Sequence, residues 1–358
     1  MLIGLVGLPL AGKTTLFNLL TGSDLPTGPF SGGGVNTGMA DVPDRRIDYL
    51  SSLYKPRKTV YARIQFKDIP GVQSGAGPGA AGKFLEEVRT ADLLVQVVRA
   101  FASDEVPHIS GTVDPMRDVA DFQTELLLAD MGVIERRIER IKGGKKPPKT
   151  AAVELDVLQR YLAALEAERP VSSVELSEEE AEVMTVYNFL TEKPVILAVN
   201  LDEEQLRSGT YPRRDELKAY AGERGFPVVE VSAQVEKEIN ELLPEDRAEF
   251  MADLGLSESG LARLARVAYD YLGLISFFTV GEDEVRAWTI RKGTAARRAA
   301  GKVHSDIERG FIRAEVFHYD DLYELGSPAK VKEKGLFRLE GKEYVVKDGD
   351  IINFRFNV

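Results

Sequence analysis

The sequence contains no cysteine and only three histidines among its 358 residues. Disulfide bonds and thiolate metal sites are therefore excluded, and a metal site built from histidines is not expected. No apolar run reaches the roughly 18 residues that a membrane-spanning helix needs. The first residues also lack the basic start and small-residue cleavage site of a signal peptide, so we expect a cytoplasmic protein that does not enter a membrane.

The chain is acidic, yet it has enough apolar material for a large core. Its net charge is -11, and 44% of its residues are hydrophobic. This length and composition predict a soluble protein of two or three domains. The acidic balance does not favour free nucleic acid as a partner of the whole surface, although local basic patches can override a net charge.

Short apolar runs alternate with helical patterns over most of the chain. This alternation predicts an α/β fold with a doubly wound, mostly parallel sheet and right-handed crossovers. The predicted strands of this sheet are Leu2–Val6, Val60–Asp68, Leu93–Val98, Pro194–Asn200 and Val228–Ser232.

Two parts of the chain depart from this alternation. Helix formers dominate residues 123–140 and 151–168, and the basic GGKKPPK segment between them predicts an antiparallel helical hairpin. After Leu272, strand-like runs such as 287–289 and 344–356, with a turn at 347–350, predict a C-terminal β-rich domain. The predicted domains are the two parts of an α/β domain (1–122 and 189–273), the helical insertion (123–188) and the C-terminal domain (274–358).

Residues Gly7–Thr14 read GLPLAGKT and match the phosphate-loop pattern G-x-x-x-x-G-K-[ST]. The glycines allow backbone N–H groups to turn towards phosphate oxygens, Lys13 would pair with the β- and γ-phosphates, and the Thr14 hydroxyl would bind Mg²⁺. A chance glycine-rich turn is the alternative, but the position between a strand and a helix favours the phosphate loop. The predicted nucleotide contacts here are Gly7, Leu8, Pro9, Leu10, Ala11, Gly12, Lys13, Thr14 and Thr15.

Asp68-Ile69-Pro70-Gly71 ends a predicted strand downstream of this loop. Asp68 can hold Mg²⁺ through water, and the Gly71 N–H can sense the γ-phosphate. A plain β-turn would also fit these residues if the phosphate loop were absent. The next residue is Val72, at a position where many relatives carry a water-orienting glutamine, so hydrolysis is expected to use another group or to be slow.

Asn200-Leu201-Asp202-Glu203 follows a buried strand, where this class of fold reads the base. The usual guanine reader is N-K-x-D, but Leu201 replaces the lysine and Glu203 replaces the final aspartate, so guanine specificity should be weaker. An acidic helix start is the alternative interpretation. Ser232 and Ala233 follow the last strand and fit a backbone contact to the base.

His108 lies in the connection after the Leu93–Val98 strand. Ligands bind at the carboxyl end of strands in such sheets, so His108 is a candidate catalytic residue that orders the attacking water, alongside Lys13. A structural histidine is the alternative, because most isolated histidines have no catalytic role.

Several long motifs together resemble the YchF / Obg-like ATPase family of P-loop NTPases, over essentially the whole chain. They include GLPLAGKTTLFNLLTG, DIPGVQSGAGPGAAGKFLEEVR, FFTVGEDEVRAWTIRKGT and VKDGDIINFRFNV. The resemblance implies a G domain, a helical insertion and a C-terminal TGS domain of β-grasp form. It also implies hydrolysis of ATP in preference to GTP, with an N-x-x-E base motif at Asn200 and Glu203, a hydrophobic residue at Val72, a mobile catalytic histidine at His108 and association with ribosomes.

The chain departs from the family pattern at two positions. Leu10 replaces an asparagine that would be a monovalent-cation ligand, which argues against potassium activation. Gly32 in Pro29-Phe30-Ser31-Gly32 replaces the first switch threonine, for which Ser31 or Thr37 could substitute. The glycines at 32–34 raise the entropic cost of ordering this loop.

The sequence therefore predicts a slow Mg²⁺-dependent ATPase that acts as a conformational switch, as a monomer, on the ribosome. The alternatives are a GTP-specific GTPase of the same fold, and a nucleotide-bound ribosome- or RNA-binding module with little hydrolysis. Two basic clusters could meet ribosomal RNA phosphates or be solvated charge runs. They are Lys142, Lys145, Lys146 and Lys149 at the hairpin tip, and Arg291, Lys292, Arg297, Arg298 and Lys302 in the C-terminal domain.

Overall fold

A computed structural model describes residues 1–28, 34–71, 78–144 and 150–357 of the chain. Some predicted features lie outside these residues. They are Val72, the Pro29–Gly33 stretch with Ser31 and Gly32, and Lys145, Lys146 and Lys149 of the hairpin tip. No helix within the described ranges is long and apolar enough to cross a membrane.

The strands follow in chain order. They are β1 (Leu2–Val6), β2 (Asn36–Val42), β3 (Lys58–Val60), β4 (Ala62–Asp68), β5 (Leu93–Arg99), β6 (Val195–Asn200), β7 (Val228–Val231), β8 (Leu274–Val280), β9 (Glu284–Arg291), β10 (Phe311–His318), β11 (Arg338–Glu340) and β12 (Asp350–Phe356).

The helices are α1 (Lys13–Thr21), α2 (Arg45–Tyr54), α3 (Pro78–Arg89), α4 (Pro115–Gly143), α5 (Ala151–Glu166), α6 (Glu178–Met184), α7 (Glu203–Ser208), α8 (Arg214–Arg224), α9 (Ala233–Glu241), α10 (Pro244–Asp253), α11 (Gly260–Tyr271), α12 (Ala296–Val303), α13 (Ser305–Arg309), α14 (Tyr319–Leu325) and α15 (Pro328–Glu333). Short 3₁₀ turns cover Val171–Ser173 and Leu190–Glu192.

The chain divides into two units, and neither is one continuous segment. Unit 1 comprises Met1–Gly38 and Gln65–Leu261, and unit 2 comprises Met39–Ile64 and Ala262–Val358. This grouping differs from the predicted boundaries, which place residues 39–64 in the α/β domain. The reason is that β3 pairs with β9, a strand encoded far later in the sequence.

The sheet that carries the phosphate loop has the order β2-β4-β1-β5-β6-β7. β1 pairs in parallel with both β4 and β5, and β6 and β7 continue the parallel pairing. Every residue of β5 and β6 is buried, as expected for strands covered on both faces. The strand order reverses at β1, so its carboxyl end is a topological switch point, where ligands bind in such sheets. The predicted α/β fold is confirmed.

The predicted helical pair is formed by α4 and α5. The α4 helix begins earlier than the apolar spacing predicts, because Asp114 caps it by accepting from the Arg117 N–H and Pro115 occupies its first position. The two helices share an apolar core, and the guanidinium of Arg137 on α4 bonds both carboxylate oxygens of Glu154 on α5.

Unit 2 is built on a mixed sheet of order β11-β10-β12-β8-β9-β3. β8 and β9 are antiparallel, β12 and β8 are parallel, and β3 closes one edge in parallel with β9. The predicted strand-like run over 344–356 forms a strand only from Asp350, whose carboxylate accepts from the Lys347 N–H and holds the predicted turn.

Candidate nucleotide-binding site

The loop between β1 and α1 adopts a backbone that only glycine permits at two positions. Gly7 has φ 130° and Gly12 has φ 100°. A Cβ on Gly7 would lie 2.4 Å from the Val97 carbonyl oxygen, and one on Gly12 would lie 2.3 Å from Asn200 Nδ2. Both glycines of the predicted phosphate loop are therefore required by backbone conformation and by close packing.

Lys13 is the buried cation of this loop. Its Nζ donates to the carbonyl oxygens of Gly7, at 3.1 Å, and Leu8, at 2.8 Å. Burial lowers the pKa of Lys13 to about 8, although the nearby Asp68 carboxylate opposes that shift. A buried ammonium bonded only to carbonyls gains most from an incoming anion, so the local chemistry fits a phosphate.

Asp68 and Thr14 meet at the carboxyl end of the sheet. The Thr14 hydroxyl donates to Asp68 Oδ2 at 2.8 Å. Burial raises the pKa of Asp68, and the Thr14 bond and the charge of Lys13 oppose this shift. Asp68 Oδ1 is buried and has no hydrogen-bond partner in the described chain, so the pair leaves one hard oxygen ligand unused. A hydroxyl and a carboxylate with a free oxygen fit Mg²⁺.

No cluster of three or more acidic or histidine side chains that could hold a metal occurs within the described ranges. Mg²⁺ usually takes one or two protein ligands and completes its shell with substrate phosphates and water.

Gly71 lies directly against the phosphate loop. A Cβ on Gly71 would lie 2.6 Å from the Gly7 carbonyl oxygen and 2.9 Å from the Pro9 nitrogen. The Gly71 backbone is therefore packed against the phosphate loop, and its contact with a terminal phosphate stays a prediction. Val72, which follows, is outside the described residues.

The Asn200 side chain links the phosphate loop to the start of α9. Its Nδ2 donates to the Ala11 carbonyl oxygen at 3.0 Å, and its Oδ1 accepts from the Ala233 N–H at 3.0 Å. Both bonds are buried, so Asn200 fixes the position of the phosphate loop relative to the predicted base loop. The Ala233 N–H is thereby occupied, and it is not free to contact a base.

The other residues predicted to read the base differ in their burial and in their hydrogen-bond or ion-pair partners. The Leu201 side chain is buried in the core of unit 1, so it does not lie over a base as the usual lysine would. Glu203 is partly exposed in the first turn of α7 and pairs with Arg207 at 3.0 Å. Ser232 is buried and caps α9 by accepting from the Val235 N–H.

The His108 side chain is buried in the connection between β5 and α4. Its Nε2 lies 2.9 Å from Asp118 Oδ2, and its Nδ1 accepts from the Ser110 N–H at 3.1 Å. This pattern corresponds to the neutral tautomer with the proton on Nε2. Asp118 Oδ1 accepts in turn from Arg117. Both ring nitrogens of His108 are therefore occupied by its own loop and helix.

Two family models match the chain. Residues 2–129 match MMR_HSR1, described as 50S ribosome-binding GTPase, and residues 274–357 match YchF-GTPase_C, described as a protein of unknown function. The "Ribosome-binding ATPase YchF" of Bacillus subtilis is 44% identical and aligns over 99% of each chain. The chain belongs to the YchF family.

Other relatives agree in both sequence and structure. The "Obg-like ATPase 1" of Oryza sativa is 37% identical over 99% of this chain and 92% of its own length. The solved YchF GTPase of Schizosaccharomyces pombe superposes with a TM-score of 0.86 at 33% identity, covering 99% of this chain and 97% of that one. The family resemblance predicted from the sequence motifs is thus confirmed.

In this YchF site, Leu10 has an unusual backbone conformation. Its φ is 62°, in the left-handed region that leucine rarely adopts. Asparagine tolerates this conformation far better, so the asparagine that the family resemblance implies here would suit the backbone. The replacement therefore leaves local strain in the phosphate loop.

Sequence reasoning missed the residues that hold the His108 loop of this YchF chain. Arg99 ends β5, and its guanidinium donates to the carbonyl oxygens of Phe101, Val106 and Pro107. Two signals could have found the set. One is an arginine that ends an otherwise apolar strand, and the other is Asp118 in the first turn of the next helix.

Proposed function

We propose that this chain is a Mg²⁺-dependent P-loop NTPase that hydrolyses ATP in preference to GTP and associates with the ribosome. It acts slowly, as a conformational switch, and works as a cytoplasmic monomer. The observation that carries the proposal is the set of Lys13, Thr14 and Asp68 at the carboxyl end of β1, where the strand order reverses and where Lys13 and Asp68 are buried.

Each of these residues has a distinct task. Lys13 exchanges its two carbonyl partners for phosphate oxygens. Thr14 and Asp68 would hold Mg²⁺, which when bound neutralises charge developing on the phosphates. The Gly71 backbone, packed on the loop, would meet the terminal phosphate. Asn200 keeps the loop in place through its bond to the Ala11 carbonyl.

The base site supports ATP over GTP. Guanine recognition needs a carboxylate that accepts from N1 and N2, and a flat aliphatic stem that covers the base. Here the Glu203 carboxylate is held by Arg207, and the Leu201 side chain is turned into the core. The names of the Bacillus and rice relatives say ATPase, whereas the Schizosaccharomyces structure is described as a GTPase. The base preference is therefore the first property to measure.

Dissociation constants for ATP and GTP, measured by titration calorimetry on nucleotide-free protein with Mg²⁺, test this preference. We expect ATP to bind more tightly, and Asn200→Ala to weaken both nucleotides because it loosens the loop. Glu203→Ala should change the ratio of the two constants, whereas the control Glu204→Ala should leave the ratio unchanged. Tighter binding of GTP than of ATP would refute the proposed preference.

His108 is proposed to order the attacking water. Its Nδ1 carries the acceptor lone pair of the ring, which accepts from the Ser110 N–H. An exposed amide is easily replaced by water, so this nitrogen can be released at small cost. We expect His108→Ala to reduce ATP turnover while ATP affinity stays unchanged. Turnover is measured as phosphate release with and without ribosomes.

A second function is favoured by one observation: both His108 nitrogens are already occupied. A chain that keeps this arrangement with nucleotide bound would be a binding module, with the nucleotide as a structural ligand. In that case His108→Ala leaves turnover unchanged, and the nucleotide-free chain still cosediments with ribosomes. If His108→Ala reduces phosphate release, this second function is excluded.

A further inference from the structure

Asp118 is a buried carboxylate that meets the His108 ring at the start of α4. Its side chain is 5% exposed, and its Oδ2 lies 2.9 Å from His108 Nε2. An ionised carboxylate only accepts hydrogen bonds, so this contact requires the ring proton on Nε2 and leaves the acceptor lone pair on Nδ1. The position of the proton on the His108 ring therefore depends on Asp118.

Arg117 determines which oxygen of Asp118 faces the ring. Its Nε and Nη2 both donate to Asp118 Oδ1, at 3.1 Å and 2.8 Å, so Oδ2 is left to His108. The same guanidinium donates to the hydroxyl and to the carbonyl oxygen of Thr112, which lies between His108 and α4. Arg117 thus holds both the carboxylate and the segment that carries the histidine, as the support of an oriented side chain must.

Gln96 ties the first turns of α4 to the sheet. It is 1% exposed in β5, and its Nε2 lies 3.3 Å from the Asp118 carbonyl oxygen and 3.5 Å from that of Val119. Gln123, further along α4, donates to Gln96 Oε1 at 2.9 Å. Burying an amide in a strand is costly unless its hydrogen bonds are made, and here those bonds fix the backbone that carries Asp118.

The two ring nitrogens of His108 are held in unequal ways. The partner of Nε2 is a buried carboxylate, whereas the partner of Nδ1 is the N–H of Ser110, an exposed residue. A water molecule can replace an exposed N–H at small cost, but the loss of a buried charged partner is expensive. Nδ1 is therefore the nitrogen that can turn to a water molecule while Nε2 stays bound.

We infer that Asp118 is a positioning residue, which keeps His108 in the tautomer whose Nδ1 accepts a hydrogen bond from the attacking water. The consequence for turnover rests on the proposed role of His108, whereas the tautomer itself can be measured without turnover. An acid that orients a histidine in this way recurs in unrelated hydrolases, where an amide in place of the acid gives the wrong tautomer.

Asp118→Asn tests the inference with almost no change of shape. Arg117 selects the oxygen of the new amide, so the NH₂ group faces His108 Nε2 and the ring proton must move to Nδ1. We expect ATP turnover to fall by roughly a hundredfold, the lower end of what a positioned acid–base group contributes, while the dissociation constant for ATP stays unchanged. The control is Asp121→Asn, the same substitution at an exposed position of α4, which should keep wild-type turnover.

Nitrogen NMR of the full-length chain with labelled histidine reports the tautomer directly. The sequence has only three histidines, and His108→Ala identifies the resonances of this ring. Wild type and Asp121→Asn should show a protonated Nε2 and an unprotonated Nδ1, and Asp118→Asn should show the reverse. An unchanged tautomer in Asp118→Asn overturns the inference.

Turnover of the double variant separates positioning from a merely structural role. Adding Asp118→Asn to His108→Ala should cause no further loss, because Asp118 acts through the ring. A further loss, or full turnover in Asp118→Asn when His108→Ala is slow, overturns the inference. If the tautomer changes as expected but His108→Ala keeps full turnover, the proposed role of His108 fails and the control of its tautomer by Asp118 stands.

Thermal melting of each variant checks folding. If Asp118→Asn melts early, Arg117→Gln takes its place, because it keeps the carboxylate but removes the charged donor that directs Oδ2 to the ring. Its loss of turnover should be smaller than that expected for Asp118→Asn and should disappear in the His108→Ala background. A loss that persists in that background also overturns the inference.

Discussion

The two units present charge to their surroundings in opposite ways. Unit 1 has an excess of acidic residues, yet its phosphate loop carries a buried cation, Lys13, held by backbone carbonyls. Unit 2 has an excess of basic residues, and Arg297, Arg298 and Lys302 of α12 are exposed and have no carboxylate partners among the described residues. A buried site selects one small anion by geometry, whereas an exposed surface attracts any long polyanion by charge. The effect of a substitution should therefore follow burial more than residue type.

The largest effect is expected at Lys13. Lys13→Ala removes the buried ammonium that meets the phosphates, and losing one such group costs roughly a hundredfold to a thousandfold in turnover. Phosphate release under saturating ATP measures this loss. The control is Lys237→Ala, which removes an exposed lysine of the same unit and should leave turnover within twofold of wild type, roughly the effect of a solvated charge. Similar losses in both variants would contradict the assignment of Lys13.

The next largest effect is expected at Asn200, and a second asparagine provides a matched control. Asn200→Ala leaves the Ala11 carbonyl and the Ala233 N–H buried without partners, which should lower the free energy of unfolding by about 2–4 kcal/mol. Asn188 also makes two side-chain bonds, to the Arg89 carbonyl and from Lys193 Nζ, but it is exposed.

Urea unfolding of Asn200→Ala and Asn188→Ala isolates the contribution of burial. Water can replace the partners of Asn188, so its substitution should cost less than about 1 kcal/mol. If both substitutions lower the free energy of unfolding equally, burial does not strengthen the Asn200 hydrogen bonds.

A smaller effect is expected at Arg46 in unit 2. Arg46 pairs with Asp348 at 2.7 Å and with Asp44 at 2.8 Å, and it lies over the Phe278 ring. Arg46→Ala should lower the free energy of unfolding by about 1–2 kcal/mol, because the group is only partly buried.

The comparison for Arg46 is Arg57, whose pair with Asp283 leaves 86% of its side chain exposed. Arg57→Ala should change stability by less than about 0.5 kcal/mol, because exposed ion pairs contribute little. Thermal unfolding of both variants measures the difference, and a larger loss for Arg57 than for Arg46 would count against the predicted dependence on burial.

The smallest effect, of opposite sign, is expected at Leu10. Leu10→Asn places a residue that tolerates left-handed backbone where φ is 62°, so stability should rise by about 0.5–1 kcal/mol. The same substitution restores the side chain that the YchF pattern carries, so turnover is compared in KCl and NaCl. Leu10→Ala is the control, because it shortens the side chain without relieving the strain. Unchanged or lower stability in Leu10→Asn would show that the loop is not strained there.

The features that could be predicted from the sequence are those that depend on neighbouring residues. The phosphate loop, Asp68 and the apolar strands β5 and β6 were recognisable because each depends on a few neighbouring residues. The place of β3 in the sheet of unit 2 was not, because pairing between distant strands leaves no local pattern. Nor could the sequence tell that Leu201 turns into the core, since a single leucine after a strand fits either direction.

The partners of His108 were missed for a similar reason. The sequence placed His108 at the carboxyl side of the sheet but gave no orientation for the ring. Asp118 holds that ring from another element, and Arg99 holds the loop from the strand before it. Such contacts depend on tertiary packing, so a histidine's position in the chain does not reveal whether its nitrogens are free.

The assignment of residues 39–64 to unit 2 affects how the chain is made. During synthesis these residues emerge long before β8–β12, the strands whose sheet they complete. Domains generally fold as units while the chain is still growing. β3 therefore stays unpaired until β9 has been synthesised. Contacts between segments so far apart in sequence form slowly. We therefore expect unit 2 to be the last part of the molecule to fold, and a nascent chain that stops before β9 to leave β3 without its pairing strand.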